Sequence, residues 1–185
     1  MKHLLALVAL FSTTAFAGDW DKSQHNFNMD GEHFGVQIRQ EFNSTKDHIQ
    51  LTVKPVKDLS VDFRYVEDIE KRYRISYNFK SDSGLYFKPR LEYRDLDAGG
   101  NYFRVRPIVG FNTKGDTSFY GYFQPTYNLD KTGQSAFHFD ATQTEIGVKQ
   151  KLTDTVSFGP FIQYNTDNNW KKTDLFLGTN LTVKF

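Results

Sequence analysis

Leu59-Ser60-Val61-Asp62-Phe63-Arg64-Tyr65 and, a few residues on, Arg72-Tyr73-Arg74-Ile75-Ser76-Tyr77-Asn78-Phe79 alternate apolar and polar side chains at every step. Period two is the mark of a strand with two unlike faces, because successive Cβ atoms leave opposite sides of the pleat. A helix of the same composition would spread both classes around its circumference. The polar class here includes Asp62, Arg64, Arg72 and Arg74, so one face is charged while the other is aliphatic and aromatic.

The same alternation extends in both directions. Upstream, Phe34, Val36, Ile38 and Phe42 oppose Gln37, Arg39 and Glu41, and Ile49, Leu51 and Val53 oppose Gln50, Thr52 and Lys54. Downstream, Leu85, Phe87, Leu91 and Tyr93 oppose Tyr86, Lys88, Arg90, Glu92 and Arg94, and Phe103, Val105, Val109 and Phe111 oppose Arg104, Arg106 and Ile108. Phe119, Phe123 and Tyr127 then face away from Tyr120, Tyr122, Gln124 and Thr126, and a weaker segment sets Ile146, Val148 and Leu152 against Glu145, Lys149 and Lys151. Two more follow, Val156 to Tyr164 and Leu175 to Phe185, giving ten in all. An all-β fold is expected: a transmembrane antiparallel up-and-down barrel of about ten strands, with twelve possible. Pro89, Pro107, Pro125 and Pro160 fall inside four of these segments and each removes a ladder hydrogen bond, so they should mark bulges or strand boundaries.

The start of the chain has a different character. Lys2 and His3 precede the apolar run Leu4 to Phe11, and small residues lead to Ala15-Phe16-Ala17, the pattern of a cleaved secretory signal peptide. The expected division is 1–17 signal peptide, 18–32 N-terminal segment and 33–185 outer-membrane barrel. With Lys2 removed, the 23 basic and 22 acidic residues become equal in number, so net charge excludes no partner. There is no cysteine, hence no disulfide, lipid-anchored thiol or thiolate metal site.

Connections and aromatics fit the barrel. Short inner turns are expected at 55–58, 81–84, 112–118 and 153–155, with outer loops at 43–47, 67–71, 95–101, 130–141 and 166–172. Phe42, Tyr65, Tyr73, Tyr93, Phe103, Tyr127 and Tyr164 fall at outer strand ends, while Phe34, Phe79, Phe111, Phe119, Phe158 and Phe185 fall at inner ends. Two such belts suit the two interfaces of a bilayer.

The inward charges are biased in sign. Arg39, Lys54, Arg64, Arg72, Arg74, Lys88, Arg90, Arg94, Arg104, Arg106, Lys149, Lys151 and Lys184 face Glu41, Asp62, Glu92, Glu145 and Asp174. A low-dielectric wall lined with one sign concentrates counter-ions, and guanidinium groups bind carboxylates bidentately. Arg64, Arg72, Arg74, Lys88, Arg90, Arg94, Arg104 and Arg106, with Tyr86, Tyr120 and Tyr122, are therefore the candidate lumen-lining residues for anionic solutes. The competing view is that these arginines pair with Glu41, Asp62 and Glu92 to fill a solid interior.

The segments Asp62-Phe63-Arg64-Tyr65, Arg72-Tyr73-Arg74-Ile75, Pro89-Arg90-Leu91-Glu92-Tyr93-Arg94 and Phe103-Arg104-Val105-Arg106-Pro107 resemble the oligogalacturonate-specific porins and their sialic-acid oligosaccharide relatives. That resemblance implies a monomeric outer-membrane channel with basic lumenal tracks, here Arg64, Arg72, Arg74, Arg90, Arg94, Arg104 and Arg106, that passes acidic oligosaccharides. The stretch Gly178 to Phe185 looks like the terminal signal read by the barrel assembly machinery. Family members have twelve strands, and only Trp20 to Gly31 is left over here.

Three other readings stand beside this one. An outer-membrane barrel enzyme, of lipid A or protein hydrolase type, would use His138 with Asp140 or Asp95 with Asp97 in the outer loops, although no spacing singles out a nucleophile and base. A structural or adhesive barrel would work through Trp170-Lys171-Lys172 and the 130–141 loop. A soluble lipocalin-like binder would need no aromatic belts. His25, His33 and His48 lack metal-ligand spacing, so no metal or cofactor is expected. The basic groups alternate with lipid-type residues and form no nucleic-acid patch.

Overall fold

The computed structural model describes residues 22–42, 47–66, 69–97, 100–130 and 137–185; residues 1–17, expected as a signal peptide, and the Phe42 side chain lie outside the described residues. The chain forms β1 (Lys22–Asp30), β2 (Phe34–Phe42), β3 (Asp47–Val53), β4 (Leu59–Val66), β5 (Glu70–Tyr77), β6 (Phe79–Lys80), β7 (Leu85–Leu96), β8 (Asn101–Asn112), β9 (Thr117–Asn128), β10 (His138–Lys151), β11 (Val156–Asp167) and β12 (Lys172–Lys184). Sequential neighbours pair antiparallel except β5 and β6, which both pair with β7, and β1 meets β12, which closes the sheet into a barrel.

All ten strands expected from the alternation are present, from β2 onward. β6 continues β5 in one register, since Ser76 faces Arg90 and Phe79 faces Phe87. The wall therefore has eleven strands, not an even number, and the β1–β12 seam is parallel. The extra strand lies within the 18–32 stretch that alternation left outside the barrel. β1 is held less by apolar burial than by amides on the inner face: Asn26 Nδ2 donates to Asn180 Oδ1 at 2.8 Å, and Arg39 Nε donates to Asn26 Oδ1 at 2.9 Å. Gln37 Nε2 donates to Asn28 Oδ1 at 2.5 Å, so the network runs across β12, β1 and β2.

The four prolines correct the bulge expectation. Each points outward and sits beside a gap in one ladder while its strand keeps its register. Pairing of β5 and β6 with β7 skips the positions opposite Pro89, that of β8 with β9 skips the stretch containing Pro107 and Pro125, and that of β10 with β11 skips the one containing Pro160. A missing N–H opens the ladder locally and nothing more. The one shift beside a proline lies between Phe139 and Ala141 on β10, near Pro125.

Connections at one rim are tight: residues 31–33, 54–58, 81–84, 113–116 and 152–155. Gly84 takes φ +94°, a conformation that favours glycine, and its N–H closes the turn onto Ser81 O at 3.0 Å. At the other rim the 129–137 connection is long, whereas 43–46, 67–69, 97–100 and 168–171 are as short as the turns, so the expectation of longer outer loops holds at 129–137 alone; β10 begins at His138, so the loop expected over 130–141 is shorter and His138 and Asp140 belong to a strand. The two ends are called the turn rim and the loop rim.

Candidate functional site

Polarity is inverted relative to a water-soluble protein. Among the described residues the buried hydrophobic ones are Val66, Tyr122, Phe161, Phe176 and Leu181, whereas nineteen polar or charged residues are buried, among them Arg64, Arg74, Asp62, Glu70 and Glu92. Ile38, Ile49, Leu51, Val61, Ile75, Leu91, Val109, Ile146 and Ile162 lie on the outside, each at least 39% exposed. Water-soluble domains seldom present so continuous an apolar surface. Exposed rings circle both rims: Tyr65, Tyr73, Tyr93 and Tyr164 near the loops, and Phe34, Phe79, Phe111, Phe119 and Phe185 near the turns. Phe103, Tyr127 and Phe158 stand on the same outer face, half-buried.

Strand parity places all eleven candidate lumen residues inside. On three of the wall's strand pairs an aromatic ring lies flat over a glycine directly across the ladder: Tyr86 over Gly110, Tyr120 over Gly147 and Phe161 over Gly178. A Cβ at any of these glycines would collide with the ring, so the glycines make room for inward aromatics.

At mid-height the interior is a packed belt. Arg64 donates to Gln50 Oε1 at 2.7 Å and also to Gln37, and Arg74 donates to the same Gln50 oxygen. Arg74 Nε lies 3.8 Å from both Asp62 and Glu92, and Arg104 reaches Glu92 at 3.3 Å. Glu70 bridges Arg72 and Arg94. Arg106 donates to Gln124 and stacks 4.2 Å over the Tyr122 ring, whose hydroxyl donates to Glu145 at 2.7 Å. Tyr120 Oη donates to Glu145 at 3.0 Å and accepts from Asn180 at 3.3 Å. Gln124 at 0% exposure and Arg64 and Glu92 at 2% are closed off from solvent, whereas Arg72, Arg94 and Arg104 keep 11–15% of their side-chain surface accessible.

Two chambers flank the belt. One of about 960 Å³ opens at the turn rim, lined by Lys88, Lys149, Lys184, Tyr86 and Tyr120 among others, and a recess of about 340 Å³ leads from it to Arg90 and Asp62. The other, about 410 Å³, opens at the loop rim beside Arg104, Asp140, Gln143 and Asn165.

Sequence reasoning left three sets of site residues aside. Glu70, assigned to an outer loop, is 1% exposed and carries two arginine partners. The amides of Gln24, Gln37, Gln50, Gln124, Gln143 and Gln163 complete the belt, for which no periodic signal exists beyond their parity. Asp30, at the end of β1, pairs with Lys54. Of the histidines, His25 Nδ1 hydrogen-bonds Thr179 Oγ1 at 2.8 Å on the outer face, and among the described residues no group of three or more His, Cys, Asp or Glu could hold a metal. Comparison with known protein families and with curated proteins finds no match.

Proposed function

We propose that this chain is a secreted, monomeric outer-membrane barrel that serves as a channel for anionic solutes, acidic oligosaccharides among them, with the arginine belt as its constriction. The inverted polarity carries the reading. An aliphatic outer wall between two aromatic belts matches lipid, and an interior in which basic groups outnumber carboxylates draws anions. Phe185 stands at the turn rim, its ring 5.5 Å from that of Phe34, in position for recognition by the assembly machinery. Resemblance to the oligogalacturonate-specific porins agrees with these features, and Tyr86, Tyr120 and Tyr122 add ring faces suited to sugars.

A planar-bilayer recording in asymmetric salt tests the reading. Anion-selective current reduced by added acidic oligosaccharide is the expected result, and Arg90→Glu should move the reversal potential toward cation preference. Cation preference, or an unchanged potential in that variant, refutes it. A second reading, a sealed barrel that acts only as a structural or adhesive element, is favoured by one observation, the burial of the Arg64–Gln50–Arg74–Glu92 cluster. A silent bilayer decides for it.

A further inference from the structure

We propose that the turn-rim chamber is a binding site for a linked-phosphate anion, a ligand that brings several negative charges on adjoining phosphate groups. The chamber's cations divide into two sets. Those at the mouth are neutralised: Lys80 by Asp58, Lys151 by Asp154 at 2.6 Å and Lys54 by Asp30. Lys88 and Arg90 on β7 and Lys149 on β10, all lining the recess, and Lys184, exposed at the end of β12, form no ion pair with any described carboxylate. Of the two carboxylates lining the recess, Asp30 is the one paired with Lys54, and Asp62 is engaged by Thr52 at 2.6 Å and by Arg74. Glu32 and Asp116 are exposed on the turns. Arg90 Nε is buried and has no hydrogen-bond partner in the protein.

These cations converge from separate strands and repel one another. Lys88 stands close enough to Arg90 and Lys54, and Lys149 to Lys184 and Lys54, for each pair to act unfavourably, a repulsion that Asp62 and Asp30 offset in part at Lys88 and Asp30 in part at Lys149. A monocarboxylate would relieve one contact, whereas a chain of phosphates meets several at once. Lysine binds either anion as a point charge, so several lysines from separate strands select for charge density, which adjoining phosphates supply and a single carboxylate does not. Most of the barrel's arginines, the better partners for acidic sugars, already hold Glu70, Glu92, Gln50 or Gln124. The chamber's volume, about 960 Å³, is that of a small-molecule pocket.

The site does not need an open lumen, so a sealed barrel would hold the ligand equally. Calorimetric titration of the purified full chain in detergent with inorganic tripolyphosphate is the test. Binding that weakens with salt is expected. Lys88→Gln and Lys149→Gln should each weaken it about tenfold, the value of one charge-assisted contact, and Lys171→Gln at the loop rim should leave it unchanged. The gel shift on heating verifies folding of each variant, and Lys149, exposed into the chamber, provides the measurement if Lys88→Gln does not fold. Absence of binding, equal binding of acetate, or an affinity indifferent to Lys149→Gln overturns the proposal. Tripolyphosphate binding with a silent bilayer removes the channel and keeps the site; anion current without binding does the reverse.

Discussion

Glu92→Gln and Arg104→Gln, made singly and together, measure whether the belt is sealed from water. Glu92 is 2% exposed, its Oε1 lies 3.3 Å from Arg104 Nη1, and Arg74 stands 3.8 Å away on the other side. At 3.3 Å and an effective dielectric of 20, the Glu92–Arg104 attraction is about 5 kcal/mol before desolvation is subtracted. Removing one partner of such a buried pair costs about 3–5 kcal/mol, because the other charge is left uncompensated. Glutamine keeps the shape, so the change is in charge alone, and Arg72, Arg74, Arg104 and Arg106 then face one another unrelieved. The double-mutant cycle, read from urea unfolding in lipid vesicles, should give a coupling of about 2 kcal/mol or more. Exposed, water-screened pairs give about 0.2–1 kcal/mol. A coupling under about 0.5 kcal/mol would falsify the packed belt and make the lumen a wet channel at its centre.

Other outcomes follow from the same geometry. Leu91→Arg, on the outer wall at mid-height, should destabilise the barrel in vesicles by about 2–4 kcal/mol; an effect near zero would mean that lipid does not touch this face. Gly178→Ala must displace the Phe161 ring and should cost about 1–3 kcal/mol in the same unfolding assay, a cost that Phe161→Leu in the same chain should partly relieve. In the 54–58 turn, the hydrogen bond from Lys80 holds the Asp58 carboxyl below its ordinary range. Its small contribution is present above the unfolded aspartate value of about 3.9 and is lost as the pH falls through the lower folded value. A carbon-detected titration that finds Asp58 at or above the ordinary value rejects the bridge.

Much of the wall was legible because period two separates two chemistries that differ sharply. The parity that put Ile75 outside put Arg74 inside, and the structure keeps that division along every strand from β2 onward. β1 escaped because its outer face, Ser23, His25, Phe27 and Met29, is half polar, and its hold on the seam comes from Asn26 and Asn28. Glu70 escaped because the alternation was read from Arg72, one position of the same face further on. Parity also fixes the side on which an arginine starts without fixing where its guanidinium ends. Whether Arg74 hangs in a pore or lies between Asp62, Gln50 and Glu92 depends on partners from three other strands, which no single segment contains. The prolines read as interruptions of strands, yet the N–H and C=O of a strand residue point to the same neighbour, so only one hydrogen-bonded edge of the strand opens at each.

The odd strand number has a consequence for how the barrel can be cut and rejoined. Since β1 and β12 run the same way, Lys22 lies beside Phe176 at one rim while Asp30 lies beside Lys184 at the other. A tether from the end of β12 to the start of β1 would have to travel back along the full height of the wall, roughly 30 Å for nine residues at strand rise. Short-linker circular permutants, tolerated by even barrels whose ends share a rim, are closed to this one, and its seam joins residues 154 apart in the chain.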